Sequence, residues 1–229
     1  VISSFGNLIA TESKEKQYSM FCIYRFFASW IYGFSAVGFY ILLTPLIQLW
    51  LGDKWMLPGT VTAAILIDYY FKGERVVLSN FKTAAGVFEQ DKYLPLVQGA
   101  VNLIISIVLV RKIGLVGVYI GTIVSGLLAN FIRPVIIYRV CFERKTAGYF
   151  IDAVRYVFVI ILATVCCVMC GNIFMKEVTI VSFTIMLVVI TLVFNGLFLL
   201  FFGRTDEFRY LFALFRDKAY ALINRLHYR

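Results

Sequence analysis

Thr179-Ile-Val-Ser-Phe-Thr-Ile-Met-Leu-Val-Val-Ile-Thr-Leu-Val-Phe-Asn-Gly-Leu-Phe-Leu-Leu-Phe-Phe202 contains no Asp, Glu, Lys or Arg. Wound as a helix at about 1.5 Å per residue, the run is longer than the roughly 30 Å hydrocarbon core of a bilayer. Inside that core only helices and closed barrels satisfy their backbone polar groups. Period-two alternation, the mark of a barrel strand, is absent here and throughout the chain. Five more apolar stretches lie upstream, at residues 26–49, 57–81, 93–110, 115–138 and 156–175. The expected fold is an all-α integral membrane protein. A six-transmembrane-helix bundle fills residues 21–203, residues 1–20 are the end of a preceding element and a charged loop, and residues 204–229 form a basic tail.

Composition agrees and removes whole classes of function. The 229 residues are 61% hydrophobic and only 15% charged, with a mean hydropathy of +0.86, whereas a soluble domain is near one-quarter charged. One histidine, His227, lies almost at the C-terminus, so neither a His-based catalytic triad nor a His metal cluster can be built. The five cysteines are Cys22, Cys141, Cys166, Cys167 and Cys170. They are odd in number and sit in or beside apolar runs, which argues against a disulfide framework. Cys166, Cys167 and Cys170 invite a metal reading, but an uncharged helix without His suits small packing residues better. We expect no cofactor, no metal and no catalytic residues.

The net charge of +9 would suggest nucleic acid in a soluble protein; in a membrane protein it reads as basic loops held in the cytoplasm, with no nucleic-acid partner. Sixteen Lys and Arg fall on the side of the N-terminus: Lys14, Lys16, Arg25, Lys82, Lys92, Arg133, Arg139, Arg144, Lys145, Arg155 and the six of the tail. Four fall on the other side, namely Lys54, Arg111, Lys112 and Lys176. That bias places both termini in the cytoplasm. The outward loops, at residues 52–56, 111–114 and 176–178, leave no room for an outer catalytic domain. Val1 stands without an initiator Met or a signal peptide, and the chain is expected to be a fragment.

Beyond residue 202, Phe208, Leu211, Phe212, Phe215, Ala219, Leu222 and Leu226 recur at three- and four-residue spacing, with Arg209, Arg216 and Arg225 off that face. This is an amphipathic helix suited to the inner interface, or simply a tail that fixes topology.

The second stretch holds the candidate site. Its uncharged part, residues 57–67, covers about half a membrane, so the helix must continue through Asp68-Tyr-Tyr-Phe-Lys72-Gly-Glu74-Arg75. Asp68, Lys72 and Arg75 are spaced i, i+4 and i+7 and share a face. Facing lipid at mid-membrane, each would cost about 2.5–3.5 kcal/mol. Two readings stand open. Lys72 and Arg75 grip the phosphate of an anionic headgroup while Asp68 holds the cations or exchanges a proton, or the span ends early and these residues snorkel to the inner interface. Arg133, with Asn130, is a further candidate substrate contact, and snorkelling accounts for it equally well. Gly117, Gly121 and Ser125 form a small-xxx-small ridge, read as a helix-packing surface.

Three motifs carry a family resemblance: Gly6-Asn7-Leu-Ile-Ala-Thr-Glu-Ser-Lys-Glu-Lys16, Leu49-Trp-Leu-Gly52, and Asn102-Leu-Ile-Ile-Ser106 with its continuation from Gly114 to Ser125. In order and spacing they resemble the Wzx-type flippases, the polysaccharide-transport branch of the multidrug/oligosaccharidyl-lipid/polysaccharide exporters, over roughly residues 1–140. The resemblance implies the C-terminal half of a MATE-like transporter with two bundles around a cavity in the bacterial inner membrane. It implies movement of undecaprenyl-diphosphate-linked oligosaccharide units between leaflets for O-antigen, capsule or exopolysaccharide synthesis. The implied partners are that lipid-linked oligosaccharide, membrane lipids, the N-terminal half and a polysaccharide polymerase. A lone half is expected not to transport. Three competing functions make distinct demands. A cation-coupled drug exporter of the same superfamily needs a net acidic cavity. A membrane polymerase or acyltransferase needs a large outward loop or embedded His. A non-transporting scaffold is indifferent to neutralising Lys72 and Arg75.

Overall fold

The computed structural model describes residues 2–227, with side chains through residue 218. Among the described residues eight α-helices follow one another: α1 (Ile2–Thr11), α2 (Lys14–Leu51), α3 (Gly59–Ala84), α4 (Leu94–Ile113), α5 (Leu115–Ile137), α6 (Ala147–Phe174), α7 (Ile180–Phe202) and α8 (Asp206–His227). No strand occurs among the described residues. Five segments there are long and apolar enough to cross a membrane: α2, α4 with its preceding turn, α5 with the π-helical turn that ends at Phe142, α6 and α7. The protein is therefore a multi-pass helical membrane protein. Helix α3 has the length, at 26 residues, but its central charges keep it out of that set. It nonetheless runs unbroken through Asp68, Lys72 and Arg75, as the half-length apolar segment requires.

The charged N-terminal segment is tighter than a loop. Ser13 caps α2 by accepting from the Lys16 backbone N–H, with Glu15 in the first turn where the helix dipole favours an anion. Gln17 reaches back to donate to the carbonyls of Ile9 and Glu12, at 3.3 and 2.9 Å, and closes the end of α1. Lys14 and Lys16 are thus helical, and only Glu12 and Ser13 separate the two helices.

Helix α2, at 38 residues, is about 57 Å long and forms the spine. Helix α3 packs on one flank with α5 beyond it, and α4 lies outermost against α5; α6 and α7 pack on the other flank, and α8 folds back onto α2. One core joins α2, α6, α7 and α8 around Phe26, Val159, Met186, Phe194 and Phe198. The other joins α1, α2, α3 and the end of α5 around Phe5, Phe21, Phe81, Tyr138 and Phe142. Cys167 is buried in the first core, in keeping with a packing role.

On the side away from the N-terminus the connections are short: residues 52–58, Gly114 alone, and residues 175–179. Gly114 turns α4 directly into α5 with φ +63° and ψ −144°, a region open to glycine but not to residues with a Cβ. The resulting hairpin is closed by the expected ridge. A Cβ on Gly121 would collide with Ser106, and Asn102 donates to Thr122 Oγ1 at 3.2 Å and Ser125 Oγ at 3.3 Å.

The tail is a helix, but not a free-lying one. Leu211 is buried and Phe208 packs on Trp30 with ring centroids 6.0 Å apart, while Phe212 and Phe215 stay exposed. Ala219, Leu222, Arg225, Leu226 and Arg229 lie outside the described side chains.

Candidate functional site

Asp68 and Arg75 meet. Arg75 Nη2 donates to Asp68 Oδ1 at 2.9 Å, spanning two turns of α3, and both side chains are largely buried. Room for the guanidinium comes from α5, where Gly126 lies so close that a Cβ there would overlap Arg75 Nη1. One turn away on α5, Asn130 donates to the Phe71 carbonyl at 3.3 Å. The α3–α5 seam thus carries two buried polar atoms without a protein partner, the donor Arg75 Nη1 and the acceptor Asn130 Oδ1.

Lys72 takes another course. It lies on the same helix face, at the midpoint of α3, but its side chain is exposed and no carboxylate pairs with it among the described residues. The longer, forked Arg75 reaches Asp68 and satisfies it, leaving Lys72 as an uncompensated cation.

Arg133 belongs to a separate cluster. Its Nε donates to Asp91 Oδ2 at 3.1 Å and its Nη1 to Ser79 Oγ at 2.9 Å. The other oxygen of Asp91 accepts from Lys82 Nζ at 2.6 Å. This carboxylate, almost fully buried, clamps the 85–93 connection to α3 and α5. Arg133 is therefore occupied as a fastening, and the structure does not join it to Lys72 and Arg75.

A further charge pair was not singled out from the sequence. Arg25 Nε donates to Glu74 Oε2 at 3.1 Å, with side-chain exposures of 4% and 6%. Arg25 Nη2 also donates to the Tyr149 carbonyl at 2.9 Å, and the guanidinium lies 3.5 Å from the centre of the Tyr149 ring. One turn onward, Ser29 and Tyr70 hydroxyls are 3.0 Å apart. Arg25, counted above with the cations of the N-terminal side, is a buried link among α2, α3 and α6. A signal for it existed: Glu74 has no basic residue three or four positions away on α3, so its partner had to come from another helix.

Chemically, the exposed Lys72 ammonium can attract an anion, while behind it Arg75 and Asp68 form a largely buried ion pair in the seam. No protein-family model, curated protein or solved structure matches the chain.

Proposed function

We propose that this chain is one six-helix bundle, with α3 as the sixth crossing, of a Wzx-type flippase. In this reading it moves undecaprenyl-diphosphate-linked oligosaccharide across the bacterial inner membrane, both termini are cytoplasmic, and the N-terminal half of a MATE-like pair completes the cavity. The observation that carries it is Lys72, an unpaired cation at the midpoint of a helix bundled among membrane-spanning neighbours. A charge facing lipid there is costly, so it belongs on a water-filled surface where it meets anions. Arg75, buried against Gly126 and paired with Asp68, adds a guanidinium behind Lys72, and a phosphate meets the Lys72 ammonium itself. Three sequence motifs in order support the family.

The test is mass spectrometry of lipid-linked intermediates in cells lacking the gene, with leaflet orientation read by a membrane-impermeant label. Accumulation of one undecaprenyl-diphosphate oligosaccharide in the inner leaflet, reversed by the wild-type gene and not by Lys72→Glu, is the expected result. Normal levels on both leaflets overturn it. A scaffold is the second reading, favoured by one observation: Arg25, Arg75 and Arg133 are all paired with carboxylates inside the bundle. It predicts that Lys72→Glu complements fully.

A further inference from the structure

Tyr69 stands one turn before Lys72 on α3, at i and i+3, so the two side chains leave the helix about 5–6 Å apart at Cβ. Tyr69 lies on the α2 side of Lys72, and the Asp68–Arg75 pair lies on the α5 side. The Tyr69 ring is the middle member of an aromatic row across the α2–α3 seam. The centre of the Tyr32 ring is 5.1 Å from it and that of Phe39 is 6.3 Å from it. Tyr32 is seated where α3 has no side chain, since a Cβ on Gly73 would overlap its ring. Phe39 is 49% exposed, while Tyr32 and Tyr69 are half-buried. The row is fixed at one end and open at the other.

Depth and hydroxyls separate this row from rings that face lipid. Tyr69 is about 15 Å along α3 from its start at Gly59, which is mid-membrane for a core of roughly 30 Å. Among the described residues the hydroxyls of Tyr24 and Tyr70 have side-chain partners. Those of Tyr32 and Tyr69 have none there, and neither is enclosed in the interior. An unpaired hydroxyl at that depth is costly against hydrocarbon, so both open onto water or a polar ligand. Other ring pairs with an exposed member, Phe158 with Phe201 and Phe131 with Phe150, carry no hydroxyl.

A sugar joined to a phosphate is the complement of this surface. One face of a pyranose presents C–H bonds that suit the negative face of an aromatic ring. Its hydroxyls pair with those of tyrosine, and its phosphate stands one glycosidic oxygen away, as Lys72 stands one turn from Tyr69. We propose that Tyr69 and Phe39, with Tyr32 behind them, form the platform on which the phosphate-linked sugar of the cargo stacks while its phosphate meets Lys72. The inference rests on the flippase reading and adds to it the place of the sugar. Lipid tails or a companion bundle lying over the same rings give no preference for a sugar, and that preference is what the test reads.

The experiment uses the product of the complete gene in nanodiscs, titrated by calorimetry with farnesyl diphosphate and with the same diphosphate joined to galactose or to N-acetylglucosamine. Wild type is expected to bind a glycosylated probe about tenfold more tightly than the bare one, the scale of one or two aromatic contacts. Tyr69→Leu should abolish that preference and leave the bare diphosphate bound as by wild type, whereas Tyr69→Phe, which keeps the ring, should retain most of it. Phe39→Leu should narrow the preference, and it carries the test should Tyr69→Leu fail to fold by circular dichroism. Lys72→Ala should weaken every probe, and Phe158→Leu, an exposed ring elsewhere, should change none. Equal affinities for bare and glycosylated probes in wild type overturn the inference, as does a preference that survives both leucine variants. Accumulation of the lipid-linked intermediate in cells lacking the gene upholds the flippase even then. Normal levels in those cells remove the flippase reading and this inference with it.

Discussion

Arg25 Nε stands 3.1 Å from Glu74 Oε2, and with the Tyr149 carbonyl the guanidinium joins helices whose contacting residues lie 49 and 124 positions apart. A buried pair of this kind stabilises little relative to a well-packed apolar pair, because both charges leave water to form it. Its consequence is asymmetric: either partner alone is far worse than both or neither.

Arg25→Met and Glu74→Leu are each expected to lower stability by about 3–5 kcal/mol, and the double variant to recover most of that loss. Chemical unfolding in detergent micelles reads the difference. Additive losses in the double variant would show that the pair is not coupled.

Gly126 and Arg75 form a second coupled pair, through space rather than charge. Gly126→Ala should displace the guanidinium and break its bond to Asp68, yet cost little in an Arg75→Ala background. The expected coupling is about 0.5–3 kcal/mol in a double-mutant cycle followed by thermal unfolding.

Lys72 is exposed, so Lys72→Ala should leave stability within about 0.5 kcal/mol of wild type. On the proposed function, it should still reduce complementation in cells, and Lys72→Arg should restore it. A loss of stability matching the loss of complementation would remove Lys72 from the site.

Asp91 accepts from both Lys82 and Arg133, so substitutions at Asp91 and at Lys82 should rank. Asp91→Asn leaves two largely buried cations without a counter-charge and is expected to cost about 3–5 kcal/mol. Lys82→Gln, which keeps the Arg133 contact, should cost about 1–3 kcal/mol. Faster amide exchange in residues 85–93 should accompany the first and be weaker in the second.

Glu143 lies just outside the spans; Lys14 Nζ, at the first residue of α2, bonds its Oε1 at 2.5 Å, and that hydrogen bond and charge hold the Glu143 carboxyl below its ordinary value. A lowered folded value stabilises the ionised state. The ion pair's contribution is therefore present at neutral pH and is lost on acidification, from the ordinary carboxylate range down through the lowered value. Carbon-detected NMR titration should find Glu143 below the ordinary carboxylate range, and Lys14→Gln should return it to that range.

Helical class, the approximate positions of five spans and the continuation of α3 through its charges were legible because each follows from local arithmetic. Run length against bilayer thickness places α6 and α7, and Gly117, Gly121 and Ser125 at four-residue spacing place the α4–α5 seam. The pairing of charges was not legible in that way. Asp68, Lys72 and Arg75 share a face by periodicity, but which cation takes the carboxylate depends on side-chain reach and on Gly126, more than fifty positions along the chain.

The sequence by itself therefore determined that this protein is a multi-pass bundle of helices with a charged cluster at the middle of α3, since hydrophobicity and helical period act over one or two turns. Tertiary structure alone decided that Arg25 is a buried link among three helices, that Asp91 occupies Arg133, and that Lys72 is left exposed. Those outcomes depend on which helices lie side by side. In a low-dielectric interior a buried charge without a partner is too costly to leave, so the neighbouring helix decides which cations are neutralised.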